Sequence, residues 1–307
     1  MAVDAGSAVG YLDLDISGFL TGLRSAQSEA DTASKNIATK IGGGLKTVGD
    51  KMAKVGKFAT ASITTPIVTA VTASVKQFAN LEQSIGGVET LFKNSSATVI
   101  KNAETAYKRA GIDANDYMEQ VTSFSATLLQ GLGGDTKKAA EYADKAIVDM
   151  SDNANKMGTN IGMIQEAYQG FAKDNYTMLD NLKLGYGGTA GEMARLVNDS
   201  GVLNGKFKAT AENVKDIPFD VLIEALHRTQ ENLGITGTTA EEAEKTVSGS
   251  FGMMKSSVMN FLQQLGNPGA DMDKFAQEML KSVGVFVDNV KRVLSTIWDN
   301  LPISPLQ

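Results

Sequence analysis

The sequence predicts an all-α protein with a compact multi-helix central domain and long amphipathic helices toward both termini. Apolar residues recur at steps of three and four along most of the 307 residues, which is the period of a half-buried helix. Short glycine, asparagine and aspartate breaks separate these runs. A hydrophobic content of 42% is enough to build a buried core at this length. Near the start, Val9 and Tyr11 alternate with other residues and allow one short N-terminal β-strand.

Residues 1–57 form an N-terminal segment with a heptad-like helical pattern. Its apolar positions alternate steps of four and three, as in a coiled coil. They are Phe19, Leu23, Ala26, Ala30, Ala33, Ile37 and Ile41. Packing within its own domain and self-association with other copies are equal alternatives for this seam.

Residues 58–80 are predicted to form an apolar helical junction, and no charged residue occurs from 58 to 75. Its apolar and helix-breaking residues are Phe58, Ile63, Pro66, Ile67, Val68, Val71 and Val75. A membrane-spanning helix needs about 20 predominantly apolar residues, and Pro66 would kink the helix. A buried helix-turn-helix junction is therefore favoured, while a membrane-active segment is the alternative.

Residues 81–235 predict a compact helical core domain. The predicted helices cover residues 96–110, 113–132, 135–157, 161–172, 189–198 and 219–233. The third of them has an apolar stripe at Ala139, Tyr142, Ala143, Ala146, Ile147 and Met150. Core packing accounts for this stripe.

Residues 236–307 predict a C-terminal hairpin of two long amphipathic helices. The first has an apolar face at Phe251, Met254, Val258, Phe261 and Leu265. Glycines, an asparagine and a proline at 266–271 predict the break. The second has apolar residues at Phe275, Met279, Val283, Phe286, Val290, Val293, Ile297 and Leu301.

The densest glycine run lies between two helices of the core domain. Gly185, Gly187, Gly188 and Gly191 predict a turn in which positive φ angles are sterically free. Thr189 and Glu192 have the spacing of a capping box for the next helix. Leucines before the turn, at 179, 182 and 184, are expected to anchor it in the core.

Residues with catalytic chemistry are few. The chain has no cysteine and one histidine, His227, which is expected to be an exposed helical residue without partners. The polar cluster Asp149, Asp152, Asn153 and Asn155 lacks the ligand spacing of a calcium loop and is interpreted as a helix end. We predict no catalytic, cofactor-binding or metal-binding residue. The net charge of -6 argues against broad electrostatic binding of nucleic acid, and no specific nucleic-acid binding is expected.

The segment around the glycine turn carries a resemblance to a known family. Its signature residues are Leu179, Asp180, Asn181, Leu182, Leu184, Gly185, Tyr186, Gly187, Gly188 and Thr189. This block resembles one in the tail tape measure proteins of long-tailed bacteriophages and related prophages. Residues 8–30, 64–85, 231–262 and 280–290 are also similar to blocks of that family, and they follow the family's order.

The resemblance implies a structural protein, not an enzyme, that sets tail length, templates tail tube assembly and is released during genome ejection. Its implied partners are tail tube and tail tip proteins, assembly chaperones and other copies of itself, with host membrane contact during ejection. Its implied location is the lumen of the phage tail in the virion, and the host cytoplasm during assembly. The family's long helical ruler is not visible before Gln307, so we expect the N-terminal and core region of a longer protein, or a short variant.

Two other function classes stay open at this point. One is a peptidoglycan-cleaving tail-associated enzyme, which would need a catalytic glutamate in a cleft or zinc held by histidines. With one histidine and no recognisable glutamate motif, the sequence gives that class little support. The other is a membrane-active helical protein that acts through residues 58–75.

Overall fold

The computed structural model describes residues 74–267 and 269–300. These residues form α-helices and short 3-10 turns and contain no strand, so the all-α prediction is confirmed. The predicted strand near Val9, the heptad-like seam and residues 58–73 of the apolar junction lie outside the described residues, while residues 74–80 of the junction belong to a helix. The chain divides into two compact units, one of Glu82–Ala243 and the other of Met1–Leu81 with Glu244–Gln307.

Ten helices follow one another along the described chain. They are α1 (Ser74–Phe92), α2 (Ser96–Arg109), α3 (Ala114–Gly131), α4 (Thr136–Met157), α5 (Ile161–Phe171), α6 (Ala190–Asp199), α7 (Phe219–Asn232), α8 (Thr238–Lys245), α9 (Val247–Gln264) and α10 (Met272–Asn300). Short 3-10 turns lie at Lys93–Ser95, Leu179–Leu182 and Val214–Asp216. In the described range, none of the helices is both long enough and apolar enough to cross a membrane.

Side-chain caps fix several helix ends. The Asp113 carboxylate accepts the N–H groups of Asn115 and Asp116, at 3.0 and 3.2 Å, where α3 begins. The Asp135 carboxylate accepts the Lys138 N–H at 3.1 Å at the start of α4. Gly158, with a φ of 63°, ends α4 in the left-handed conformation that glycine adopts without steric cost. These residues were the predicted breaks, so the predicted helices of the core domain begin and end within one residue of the observed ones.

Helix α4 is the centre of the unit Glu82–Ala243 and contacts α2, α3, α5 and α7. Its predicted apolar stripe is buried at Ala139, Ala143, Ala146, Ile147 and Met150, while Tyr142 is half-buried. Three alanines in this stripe let neighbouring helices approach closely.

Helices α9 and α10 pack against each other as the predicted hairpin. The rings of Phe251 and Phe286 lie 5.5 Å apart between centroids, and Phe261, Met279 and Val283 are buried. The predicted apolar faces are not fully covered, because Phe251 and Val293 are 41% and 40% exposed.

Two long helices after residue 237 were predicted, but a short helix, α8, precedes them. The chain leaves α8 at Thr246, whose hydroxyl accepts the Gly249 N–H at 2.9 Å and thereby starts α9 as a new helix. A threonine at this position favours an N-cap over continuation of the helix.

Candidate functional site

The signature segment, residues 179–189, connects α5 to α6. It opens with the 3-10 turn Leu179–Leu182, in which both leucines are fully buried, and Leu184 is 7% exposed. The predicted anchoring of this segment by leucines is therefore confirmed. Met193, Leu196 and Val197 on α6 are also fully buried and continue the same core.

The glycines of the segment serve two different physical needs. Gly185 has a φ of 85°, as predicted, but the prediction of positive φ is wrong for Gly187, Gly188 and Gly191. At Gly188 the need is space, because a β-carbon there would lie 2.9 Å from the Thr177 carbonyl carbon and still closer to its oxygen. A close backbone approach of this kind depends on the path of the preceding chain, which residue spacing does not reveal.

Thr189 caps α6 as predicted, with its hydroxyl accepting the Glu192 N–H at 3.2 Å. In a complete capping box the Glu192 carboxylate would accept the N–H of Thr189, and this hydrogen bond is replaced by another. The Glu192 carboxylate accepts the Gly187 N–H at 3.1 Å, while the Thr189 N–H donates to the Gly187 carbonyl at 2.9 Å. Glu192 therefore closes the glycine turn onto α6.

The solvent-facing side of the segment is organised around Tyr186. The Arg195 guanidinium lies 4.4 Å from its ring centroid, and its hydroxyl donates to the Asp199 carboxylate at 3.0 Å. Desolvation and the Asp199 carboxylate raise the pKa of Tyr186. Arg195 also donates to the Gly185 carbonyl at 2.9 Å, and this hydrogen bond connects α6 to the glycine turn. Of the other signature residues, Asp180 is exposed and Asn181 is half-buried.

A buried polar cluster on α4 contacts the signature segment from the core side. Its members are Asp149, Asp152 and Asn153. All three are at most 1% exposed. The Asn153 amide donates to the Leu182 carbonyl at 2.9 Å, which connects α4 to the signature segment. Each of the other two members of this α4 polar cluster contacts a different part of the same unit.

Asp152 caps the N-terminus of α8. Its carboxylate accepts the Gly237 N–H at 2.6 Å and the Thr239 N–H at 2.8 Å. The first N–H groups of a helix have no partner within the helix, and an anion at that end is favoured by the helix dipole. A carboxylate from a helix distant in sequence therefore fixes where α8 begins.

Asp149 pairs with the single histidine. Both of its oxygens lie within hydrogen-bond distance of His227 Nδ1, at 2.9 and 3.0 Å, and the His227 side chain is 20% exposed. Burial raises the pKa of Asp149 to about 6, and hydrogen bonding with the Asp149 carboxylate raises the pKa of His227. The prediction that His227 is an exposed residue without partners is therefore wrong.

The polar residues Asp149, Asp152, Asn153 and Asn155 lie in the last turns of α4, which ends at Met157 as predicted, but three of them are buried and have partners on other parts of the unit. The signal was present in the sequence, since Asp149, Asp152 and Asn153 continue the apolar stripe of α4 at steps of three and four. Polar residues at such positions indicate a buried network with partners on other helices.

The Asp149–His227 pair can hold a proton between α4 and α7. A catalytic triad would need a hydroxyl on the second histidine nitrogen, and no such hydrogen bond occurs among residues 74–267 and 269–300. Within the same ranges, no group of three or more histidine, aspartate or glutamate side chains is placed to hold a metal ion. The pair links α4 to α7 in the way Asp152 links α4 to α8.

The residues of the predicted membrane-active segment, Phe58, Ile63, Pro66, Ile67, Val68 and Val71, lie outside the described residues. Val75 belongs to the first turn of α1.

Comparisons with known proteins identify no relative. No protein-family model matches the chain, and neither a curated protein nor a solved structure does.

Proposed function

We propose that this protein is a structural tail tape measure protein of a long-tailed bacteriophage or prophage. The observation that supports this best is the use the chain makes of its signature residues. Leu179 and Leu182 fill the core, Gly188 permits a close backbone contact and Thr189 caps α6. These residues stabilise the fold, which is the use that a structural role would make of them.

In this proposal, several copies lie along the axis of the growing tail. Assembly chaperones hold the chain until tube subunits polymerise around it, and one end meets the tail tip proteins. The length of the chain then sets the length of the tube. The protein is in the host cytoplasm during assembly and in the tail lumen of the finished virion.

Protection from protease tests this location. Intact tails carrying the protein should shield it from added protease, and tails opened by denaturant should not. The α9–α10 hairpin gives a suitable epitope position, because Lys291 and Arg292 on α10 are exposed. Digestion in intact tails at the rate seen for the purified protein would contradict the proposal.

Membrane contact during ejection is a separate part of the proposal, and it is assigned to residues 58–75. Purified protein should release dye from liposomes. A deletion of residues 58–75 is the matched control, and equal leakage from the deletion variant would remove this part of the proposal while leaving the tape measure role untouched.

A further inference from the structure

The loop that follows α6 has a tight turn at its tip, formed by Leu203–Lys206. Asn204 and Gly205 have φ angles of 49° and 71°, and the Lys206 N–H donates to the Leu203 carbonyl at 3.0 Å. Two consecutive positive φ angles inside such a hydrogen bond are typical of a type I′ turn, for which Asn-Gly is the preferred pair.

The base of this loop is held by side-chain hydrogen bonds, while the residues of its tip are exposed. Asn198 donates to the Ala209 carbonyl and accepts the Ala209 N–H, both at 2.9 Å. Asn213 accepts the Thr210 N–H at 2.8 Å. By contrast, every residue from 204 to 208 is exposed. The side chains of the tip are therefore accessible to water.

We propose that Asn204 is a site of spontaneous covalent modification, in which the side-chain amide is converted to a carboxylate through a succinimide. The Gly205 backbone nitrogen attacks Asn204 Cγ, a new N–Cγ bond forms, and the amide nitrogen leaves as ammonia with the proton that Gly205 gives up. Water then opens either carbonyl of the ring. The products are aspartate, or isoaspartate with one more methylene in the main chain.

The surroundings of the two reacting groups favour this step. In the described part of the chain, the Gly205 N–H donates no hydrogen bond, so its nitrogen is available. Apart from its two chain neighbours, no residue has an atom within 4 Å of the position where a β-carbon of Gly205 would be, so the space beside this residue is open. The turn hydrogen bond between Lys206 and Leu203 is the contact that must open, and an exposed loop tip opens at low cost.

The modification changes the charge of the tip without touching the core. A new carboxylate arises two residues before Lys206 and four before Lys208, which are both exposed. Phe207 between them is 50% exposed. The tip thus changes from a cationic and aromatic surface to one with a mixed charge, while the contacts of Asn198 and Asn213 at its base stay in place.

The test is ageing of the full-length protein in mildly alkaline buffer, followed by peptide mass mapping and isoaspartate detection. We expect conversion at Asn204, strong suppression in Gly205→Ala and no conversion in Asn204→Gln, with unchanged thermal unfolding in aged and fresh protein. Asn198 serves as an internal control, because its amide is engaged at both ends. If Asn204 stays intact while a free peptide of residues 200–210 converts, the turn protects the site and the proposal is wrong.

Discussion

Among single residues, Gly188 has the tightest requirement for glycine in the signature segment. A methyl group there would meet the Thr177 carbonyl group, whereas at Gly187 it would lie 3.6 Å from the Glu192 side chain, an ordinary contact. We expect Gly188→Ala to lower the free energy of unfolding by about 2–3 kcal/mol through overpacking, and Gly187→Ala to change it by less than about 0.5 kcal/mol. Urea unfolding of the two variants measures this difference, and equal losses would show that the close approach to Thr177 is unimportant.

The Asp149–His227 pair predicts a pH dependence of stability. Both pKa values are raised in the folded chain above their ordinary values of 3.8 and 6.5, so the folded state binds protons more tightly than the unfolded state. The stabilising contribution of the pair to the free energy of unfolding is fully present when the pH is below these ordinary values. It is lost as pH rises through about 6 for Asp149 and then through the raised pKa of His227.

The free energy of unfolding should therefore decrease as pH rises from 3.8 through about 6, and again as pH rises above 6.5, with this pair as a main cause. The neighbouring charges act on the same groups: Lys145 lowers both pKa values, while Asp152 raises that of Asp149 and Glu231 raises that of His227. A double variant, Asp149→Asn with His227→Gln, keeps the shape of the pair and should flatten this slope. An unchanged slope in the double variant would assign the pH dependence to other groups.

Between helices, the two aspartate caps offer a matched comparison. Asp152 is fully buried and accepts two N–H groups of the α8 end, while the Asp135 side chain is 41% exposed and accepts one at the start of α4. Removing the buried acceptor leaves two donors unpaired, so Asp152→Ala should cost about 2–4 kcal/mol, and Asp135→Ala about 1 kcal/mol.

Hydrogen exchange locates the effect of Asp152→Ala. Amides of α8 should exchange faster in this variant, while those of α2 keep their protection. If α8 keeps its protection and the loss of stability equals that of Asp135→Ala, Asp152 does not hold the start of α8.

The helices could be predicted from the sequence because their ends are set locally. Asp113, Asp135 and Gly158 act on groups within four residues, so spacing alone reveals them. The contacts of the α4 polar cluster could not be predicted in the same way. Asp152 and the α8 end are 85 residues apart in sequence, and only the packing of the helices brings them together.

The glycine turn shows the same limit. Gly185 needs a positive φ angle, a local property that the glycine run indicated. Gly188 needs room for the Thr177 carbonyl, which depends on how the chain returns after α5. The sequence therefore predicted that glycine is needed in this segment, but it assigned a wrong reason to Gly188.

For the molecule as a whole, the proposed ruler function requires that added helix adds length. Helix α10 offers a suitable site, because Ser295 and Thr296 are exposed near its end. An insertion after Leu265 would instead displace Gly266, where an added β-carbon would lie 2.5 Å from the Phe78 ring. The exposed turn at Asn204 and Gly205 provides the matched control, since residues added there enlarge a loop without extending a helix.

Electron microscopy of tails assembled with these insertions tests the central claim. A helical insertion of about 14 residues after Ser295 should lengthen the tail by about 21 Å, at roughly 1.5 Å per residue, and longer inserts should scale in proportion. The same insert at the Asn204 turn should leave the tail length unchanged. If the insertions in α10 leave the tail length unchanged, the tape measure function is contradicted.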